Sequence, residues 1–413
     1  MILLAAHVFF VLAGRLFDAT SESYKQNVAI RIENDRIAAV GVQVPAGAEV
    51  IDLSQLTVLP GLIDCHVHLQ SRSDHFEEIY EFKESLPQQA MVAVIHARRT
   101  LEAGFTTVRD VGSSPFVAID LRDLIKEGYF PGPRIVASGG CISITGGHCA
   151  LNNYPPGVTT YVYPQERDFH VADGPDELRH VIRSQIAHGA DMIKVAASGG
   201  VFSRGDVPGA PQYTYEELKV AVEEAHRAGR RIAAHAHGTQ SIKDATRAGV
   251  DSIEHGTLID DEGIKLMKER GTFLVGDIYN DDFILGHAED LHIPEEFVAK
   301  ERAIGQLQRD NWAKAVKAGV RLAFGTDAGI FPHGDNAKQF AVMVRYGLTP
   351  ARAILAATAW AAELLDRSKE VGTLQAGRYA DLIAVPGDPL QDIRLLEHVP
   401  FVMKGGTVVK DSR

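Results

Sequence analysis

The chain has 413 residues, 45% hydrophobic and 23% charged, an ordinary globular composition with room for one large domain and a smaller one. A formal net charge of −12 excludes a general grip on nucleic acid, which needs clustered Lys and Arg. No apolar run reaches the ~18 residues of a membrane-spanning helix, and Cys65, Cys141 and Cys149 match no disulfide framework, so a reducing, cytoplasmic setting is expected, although Cys141 and Cys149 could lie near each other.

The apolar start, residues 1–12, lacks a basic leader and a cleavage signal, and reads as a buried strand. Val28-Ala29-Ile30-Arg31-Ile32 and Arg36-Ile37-Ala38-Ala39-Val40 flank Asn34-Asp35, a hairpin signature. After Pro60-Gly61 short apolar strands alternate with amphipathic helices, the pattern of parallel β/α units. Strands are predicted over 62–67, 106–110, 134–138, 192–196, 232–236, 252–254, 272–275 and 322–325; eight strands suit a closed (β/α)8 barrel of the TIM type. A helix over 215–228 is opened by Thr214 as N-cap, with Glu217 three residues on. From Gly372 strands return at 379–385 and 400–403, and the two chain ends are expected to form one small β-sandwich. The predicted domains are therefore 1–59 with 371–413 for the sandwich and 60–370 for the barrel. Irregular stretches at 139–175, 198–213 and 277–300 have the length of functional loops; the last, with Tyr279, Asp281 and Phe283, is a candidate cover for a pocket.

His66 and His68 flank Val67 at a strand end, and strand alternation sends both imidazoles to one side, a metal-binding arrangement. Lys194 interrupts the apolar strand Met192-Ile193-Lys194-Val195-Ala196, where a bare ammonium is unfavourable. Two readings stay open there: a lysine whose head reaches a carboxylate at the barrel mouth, or a carbamate formed with carbon dioxide that bridges two metals. His235-Ala236-His237 repeats the same-face pattern, and His255 ends another strand; alternation does not choose between His235 and His237. Five histidines at three strand ends are hard to ascribe to core packing, since imidazole is the commonest metal ligand. Asp327, in Gly325-Thr326-Asp327-Ala328-Gly329, reads as an Asx-turn or as a metal-bound carboxylate able to accept a proton.

Together these segments resemble the binuclear amidohydrolase superfamily, in the branch with Xaa-Pro dipeptidases, carboxypeptidase-like enzymes and ochratoxinase. The resemblance covers nearly the whole chain and includes Pro60-Gly61-Leu62-Ile63-Asp64-Cys65-His66-Val67-His68, Thr106-Thr107-Val108-Arg109-Asp110, Thr145-Gly146-Gly147-His148 and Ile193-Lys194 through Ser198-Gly199-Gly200. It implies two divalent metal ions, zinc by default: one held by His66, His68 and Asp327, the other by His235 and His255, with carbamylated Lys194 bridging. It further implies Asp327 as proton acceptor, His148 near the scissile carbonyl, His237 on the substrate side, and a homo-oligomer. Several dipeptidase relatives carry tyrosine where this chain has His237, so dipeptide specificity does not transfer directly. The implied substrate is a dipeptide or N-acyl amino acid with a free carboxylate, and Arg204, Tyr213 and His237 are candidates to bind that carboxylate. Alternatives on the same scaffold are a cyclic amide, carbamate or urea substrate, or a metal-binding barrel without turnover.

Overall fold

The computed structural model describes residues 7–413 apart from 77–79, 81–82, 115, 151, 153 and 156–168. The chain enters on β1 (Val8–Leu16), β2 (Lys25–Glu33), β3 (Arg36–Val40) and β4 (Val50–Pro60). It then runs through β5 (Leu62–Val67), β6 (Phe105–Asp110), β7 (Arg134–Ile142) and β8 (Met192–Ala196). These continue into β9 (Arg231–Ala236), β10 (Ser252–His255), β11 (Phe273–Val275) and β12 (Arg321–Leu322). It returns on β13 (Leu382–Val385), β14 (Phe401–Lys404) and β15 (Thr407–Asp411).

Strands β5 to β12 form one parallel sheet in sequence order. Every residue of β5, β6 and β8 is buried, as expected for parallel strands covered on both faces. The sheet curls until its first strand meets the segment after its last. Cys65 N donates to Phe324 O at 2.8 Å, His68 N donates to Ala328 O at 2.8 Å, and Val67 bridges Ala328 in parallel. This curl, consistent with a TIM-like barrel, gathers the C-terminal strand ends around one axis.

Both chain ends join a second sheet of seven strands, ordered β15-β14-β13-β4-β1-β2-β3. The pairing defines one continuous sheet, where the sequence suggested a sandwich. Its core holds Phe9, Val11, Leu16, Ile30, Ile32, Val58, Leu382 and Phe401. Strand β1 supplies the expected early strand from Val8 on; residues 1–6 lie outside the described residues.

Helices alternate with the parallel strands, beginning with α1 (Leu86–Glu102), α2 (Val117–Lys126), α3 (Gly174–Ala187) and α4 (Tyr215–Arg227). The capping box of α4 is formed as predicted: Glu217 N donates to Thr214 Oγ1 and Thr214 N to Glu217 Oε2. Next come α5 (Thr239–Ala248), α6 (Asp261–Arg270), α7 (Asn280–His287) and α8 (Glu295–Ala318). The stretch 277–300, expected to be irregular, thus carries α7 and the start of α8. Asp281 and Asp282 are poor helix formers, and tertiary contacts hold α7: Arg309 of α8 pairs with them at 2.7 and 2.8 Å. Strand β7 likewise runs on to Ile142, into a stretch expected to be loop.

The cysteines correct another expectation. Cys141, at the end of β7, and Cys149 are joined in a disulfide, while Cys65 is free and buried. A separation of eight residues suffices because the chain turns back at once after β7. No helix among the described residues is long and apolar enough to cross a membrane.

Candidate active site

At the C-terminal mouth of the parallel sheet lies a cavity of roughly 420 Å³. His66 and His68 reach it from the end of β5, Lys194 from β8, His235 and His237 from the end of β9, His255 from β10, and Asp327 from the segment after β12. Asp327 Oδ1 stands 3.0 Å from His68 Nε2 and 3.5 Å from His66 Nε2. Ring centres of His66 and His255 are 5.0 Å apart, and those of His235 and His255 4.6 Å apart. Gly325 makes the approach possible, because a Cβ there would sit 2.2 Å from a Val275 methyl and 2.9 Å from His66 Cβ.

The donor atoms fall into two groups, each within 4.8 Å: His66, His255 and Asp327, and His235, His237 and His255. His255 belongs to both. His237, expected on the substrate side, stands as close to His235 and His255 as a ligand would.

Lys194 is 3% exposed, and its ammonium has no hydrogen bond or ion pair among the described residues. Burial lowers its pKa to about 8, against the pull of Glu254 and Asp327. His66 Nε2 is also buried without a hydrogen-bond partner among the described residues. Imidazole lone pairs, a carboxylate and an amine that loses its charge readily are the donor set a divalent cation pair and a lysine carbamate require, so the residues fit.

Behind these side chains a second layer fixes their orientation. His66 Nδ1 is 2.8 Å from Glu254 Oε2, and Arg109 Nη2 donates to Glu254 Oε1 at 2.7 Å. His255 Nδ1 meets Asp277 Oδ1 at 2.9 Å, His68 Nδ1 meets Gly112 O at 3.1 Å, and His237 Nδ1 meets Thr257 Oγ1 at 2.7 Å. With each Nδ1 engaged, Nε2 turns to the cavity, the usual support of a metal-bound imidazole. Asp64, whose carboxyl burial raises to about 7, accepts from Thr326 Oγ1 at 2.6 Å and Asn336 Nδ2 at 2.8 Å and braces the loop carrying Asp327. His255 and Asp327 both have left-handed backbone, φ 67° and 60°, a strained choice for non-glycine residues that surrounding bonds must hold.

Burial keeps His66, His235 and His237 neutral well below the usual histidine range. Burial would raise the Asp327 carboxyl, but His66 and His68 outweigh it and keep the group ionised. Burial opposes protonation of His68 and His255, yet Asp327 and Asp277 respectively shift them upward.

A profile of the amidohydrolase family matches residues 57–409. The chain belongs to the amidohydrolase family. It is accordingly a hydrolase acting on amide bonds, in a metal-dependent family. It is 34% identical to ochratoxinase of Aspergillus niger, over 98% of this chain and 87% of that protein. A crystal structure of a Xaa-Pro dipeptidase with methionine in its active site superposes with a TM-score of 0.90 at 38% identity, covering 97% of this chain and 99% of that one. A prolidase complexed with N-methylphosphonate-L-proline gives 0.90 at 31% identity, covering 98% and 100%.

In this amidohydrolase the far wall of the cavity is built by the 143–150 loop. His148 stacks on His235, ring centres 4.0 Å apart, and its Nδ1 is 2.8 Å from Ser203 Oγ. Ser203 in turn donates to Asp206 at 2.7 Å, so the bond chain puts the His148 proton on Nδ1. Gly200 leaves room for the ring, since a Cβ there would sit 2.4 Å from it. The disulfide to Cys141 ties down the residue next to His148, and both its cysteines line the cavity.

Two expected carboxylate binders are elsewhere. Tyr213 is 2% exposed, does not line the cavity, and donates its hydroxyl to Ala172 O at 2.9 Å. Arg204 also stays off the cavity wall, 3.6 Å from Glu296 and 5.2 Å from the Phe297 ring. Of the residues named in the 277–300 stretch, none lines the cavity; their neighbours Asn280 and Ile284 do.

The sequence reading missed Glu254, Asp277, His170 and Glu301. Glu254 had a signal, a charge inside a buried strand, the same irregularity that singled out Lys194. His170 lines the cavity with its Nε2 buried and without a partner, after a segment that offered no pattern.

Proposed function

We propose that this amidohydrolase cleaves the amide bond of a dipeptide or N-acyl amino acid with a free C-terminal carboxylate, using two divalent cations, zinc by default. His66, His68 and Asp327 would hold one ion, His235 and His255 the other, and Lys194, as its carbamate, would bridge them. The observation that carries this reading is the convergence of those six side chains on one cavity, with the Lys194 amine buried and unpartnered among the described residues. When bound, the cations supply Lewis acidity, lowering the pKa of water and polarising the carbonyl.

The chain's own residues do the rest. Asp327, ionised and bonded to His68, accepts a proton from the attacking water and returns it to the leaving nitrogen. Asn280 Nδ2, 3.2 Å from Asp327 Oδ2, fixes that carboxylate's second oxygen. His148 is neutral at pH 7, since burial lowers its pKa to about 3. With the proton on Nδ1, its Nε2 is an acceptor; stabilising charge on the carbonyl oxygen requires a second proton, which Asp206 favours and burial opposes. With Arg204 and Tyr213 turned elsewhere, the substrate carboxylate falls to His237, which as a neutral imidazole donates from Nε2 when Thr257 Oγ1 donates to its Nδ1. Likeness to ochratoxinase and to Xaa-Pro dipeptidase and prolidase structures supports the amide and carboxylate in this reading. We also read residues 60–370 as the catalytic domain and the two chain ends as its companion.

Turnover of Xaa-Pro dipeptides, N-acyl amino acids and ochratoxin-type amides tests the substrate class. Asp327→Asn is expected to lower kcat by about 10³-fold or more while most of the metal stays bound. Undiminished turnover in that variant contradicts the assignment.

A further inference from the structure

Glu301 lies on α8, one turn before Gly305, and lines the cavity at 5% exposure. It makes no hydrogen bond or ion pair among the described residues, and its Oε1 is wholly buried. The two cations packed beside it among the described residues are committed. Arg309 pairs with Asp281 and Asp282, and Lys300, adjacent in sequence, turns away to Asp206 at 3.0 Å. The neighbouring carboxylates are committed too: Asp277 to His255, Asn280 and Gln308, and Asp281 to Arg309. The gap at Gly305 keeps space for the acids, since a Cβ there would sit 2.9 Å from Glu301 Oε1 and 2.5 Å from Asp281 Oδ1. A carboxyl group left in a low-dielectric wall without a donor is unfavourable until something supplies one. Among the described residues none does, and the remaining exposure of the Glu301 side chain is to the cavity.

We propose that Glu301 is the recognition point for a cationic group of the substrate, an ammonium or guanidinium, and thereby selects among amide substrates. This rests on the amide-hydrolase reading above. Burial, reinforced by Asp281 and Asp277, raises the Glu301 pKa to about 8, so the carboxyl is weakly charged at neutral pH and an incoming cation converts it to a full counter-charge. The cation could be the α-amino group of a dipeptide or a basic side chain; the two share this chemistry and are separated by the choice of substrate.

Kinetics of the metal-loaded enzyme and Glu301→Gln with norleucyl-leucine, N-acetyl-norleucyl-leucine and N-acetyl-lysyl-leucine test it. The variant is expected to lose about tenfold or more in kcat/KM on a substrate that carries a cationic group and to stay within about twofold on N-acetyl-norleucyl-leucine, which carries none. Loss confined to norleucyl-leucine identifies the α-amino group; loss confined to N-acetyl-lysyl-leucine identifies the side chain. Equal loss on all three, or no loss on either cationic substrate, overturns the proposal. Calorimetric titration with lysinamide and N-acetyl-norleucinamide decides independently of turnover. Wild type is expected to prefer lysinamide by about tenfold or more, and equal binding overturns the proposal. If no amide is cleaved but that preference stands and vanishes in Glu301→Gln, the reaction assigned above falls and the cation site survives. Should the variant misfold, the wild-type titration alone decides.

Discussion

The two sheets of this protein are built by the same backbone hydrogen bonds and put to opposite uses. The seven-stranded sheet buries Phe9, Ile30, Ile32, Leu382 and Phe401 and keeps its ionisable groups outside that core. The eight-stranded sheet buries His66, Lys194, His235, Glu254 and His255 at its strand ends. The difference teaches where stability comes from in each. In the core of the first, burial of apolar area dominates. The second tolerates buried charge only because each group is answered by a partner, Arg109 for Glu254 and Asp277 for His255, or by what the cavity binds.

Substitutions that act on one sheet and spare the other sharpen this contrast. Arg109→Met removes the guanidinium from buried Glu254 and leaves that carboxyl with only His66 and Ser252 as partners; a loss of about 3–5 kcal/mol of stability is expected, together with a fall in kcat, read by denaturant unfolding and steady-state kinetics. Phe401→Ala in the seven-stranded sheet is expected to cost about 3–5 kcal/mol as well, with kcat of the folded fraction unchanged; a parallel fall in kcat would break the contrast.

The smallest effect is pH-dependent. Glu301 is raised in the folded state to about 8, because burial, Asp281 and Asp277 disfavour its charged form. The folded chain therefore holds a proton that the unfolded chain releases above its ordinary carboxyl pKa near ~4.3, and stability falls as pH rises from there through about 8. Glu301→Gln is expected to flatten that slope and to gain stability relative to wild type at pH 8, with little change at pH 4. A variant with an unchanged slope contradicts the assignment.

Much of the parallel sheet was legible because its strands are near-continuous apolar runs, and the irregularities within them, His66, Lys194 and His255, marked the cavity. What stayed hidden depends on contacts distant in sequence. The helix Asn280–His287 rests on Arg309, nearly thirty residues on. Tyr213 turns inward because Ala172, from a preceding loop, offers a carbonyl. Glu301 sits in an amphipathic helix where a glutamate is ordinary, and only the company of Asp277, Asp281 and Arg309 makes it conspicuous. The pairing of Cys141 with Cys149 needed the reversal of the chain after β7.

Lys194 is the residue on which the proposed metal centre depends. Mass spectrometry of the native enzyme with elemental analysis, for wild type and Lys194→Met, tests it most directly. The expected result is one added carbon dioxide on Lys194 and two ions per chain in wild type, with loss of an ion and of turnover in the variant. An unmodified Lys194, with a variant that keeps both ions and full activity, would contradict it.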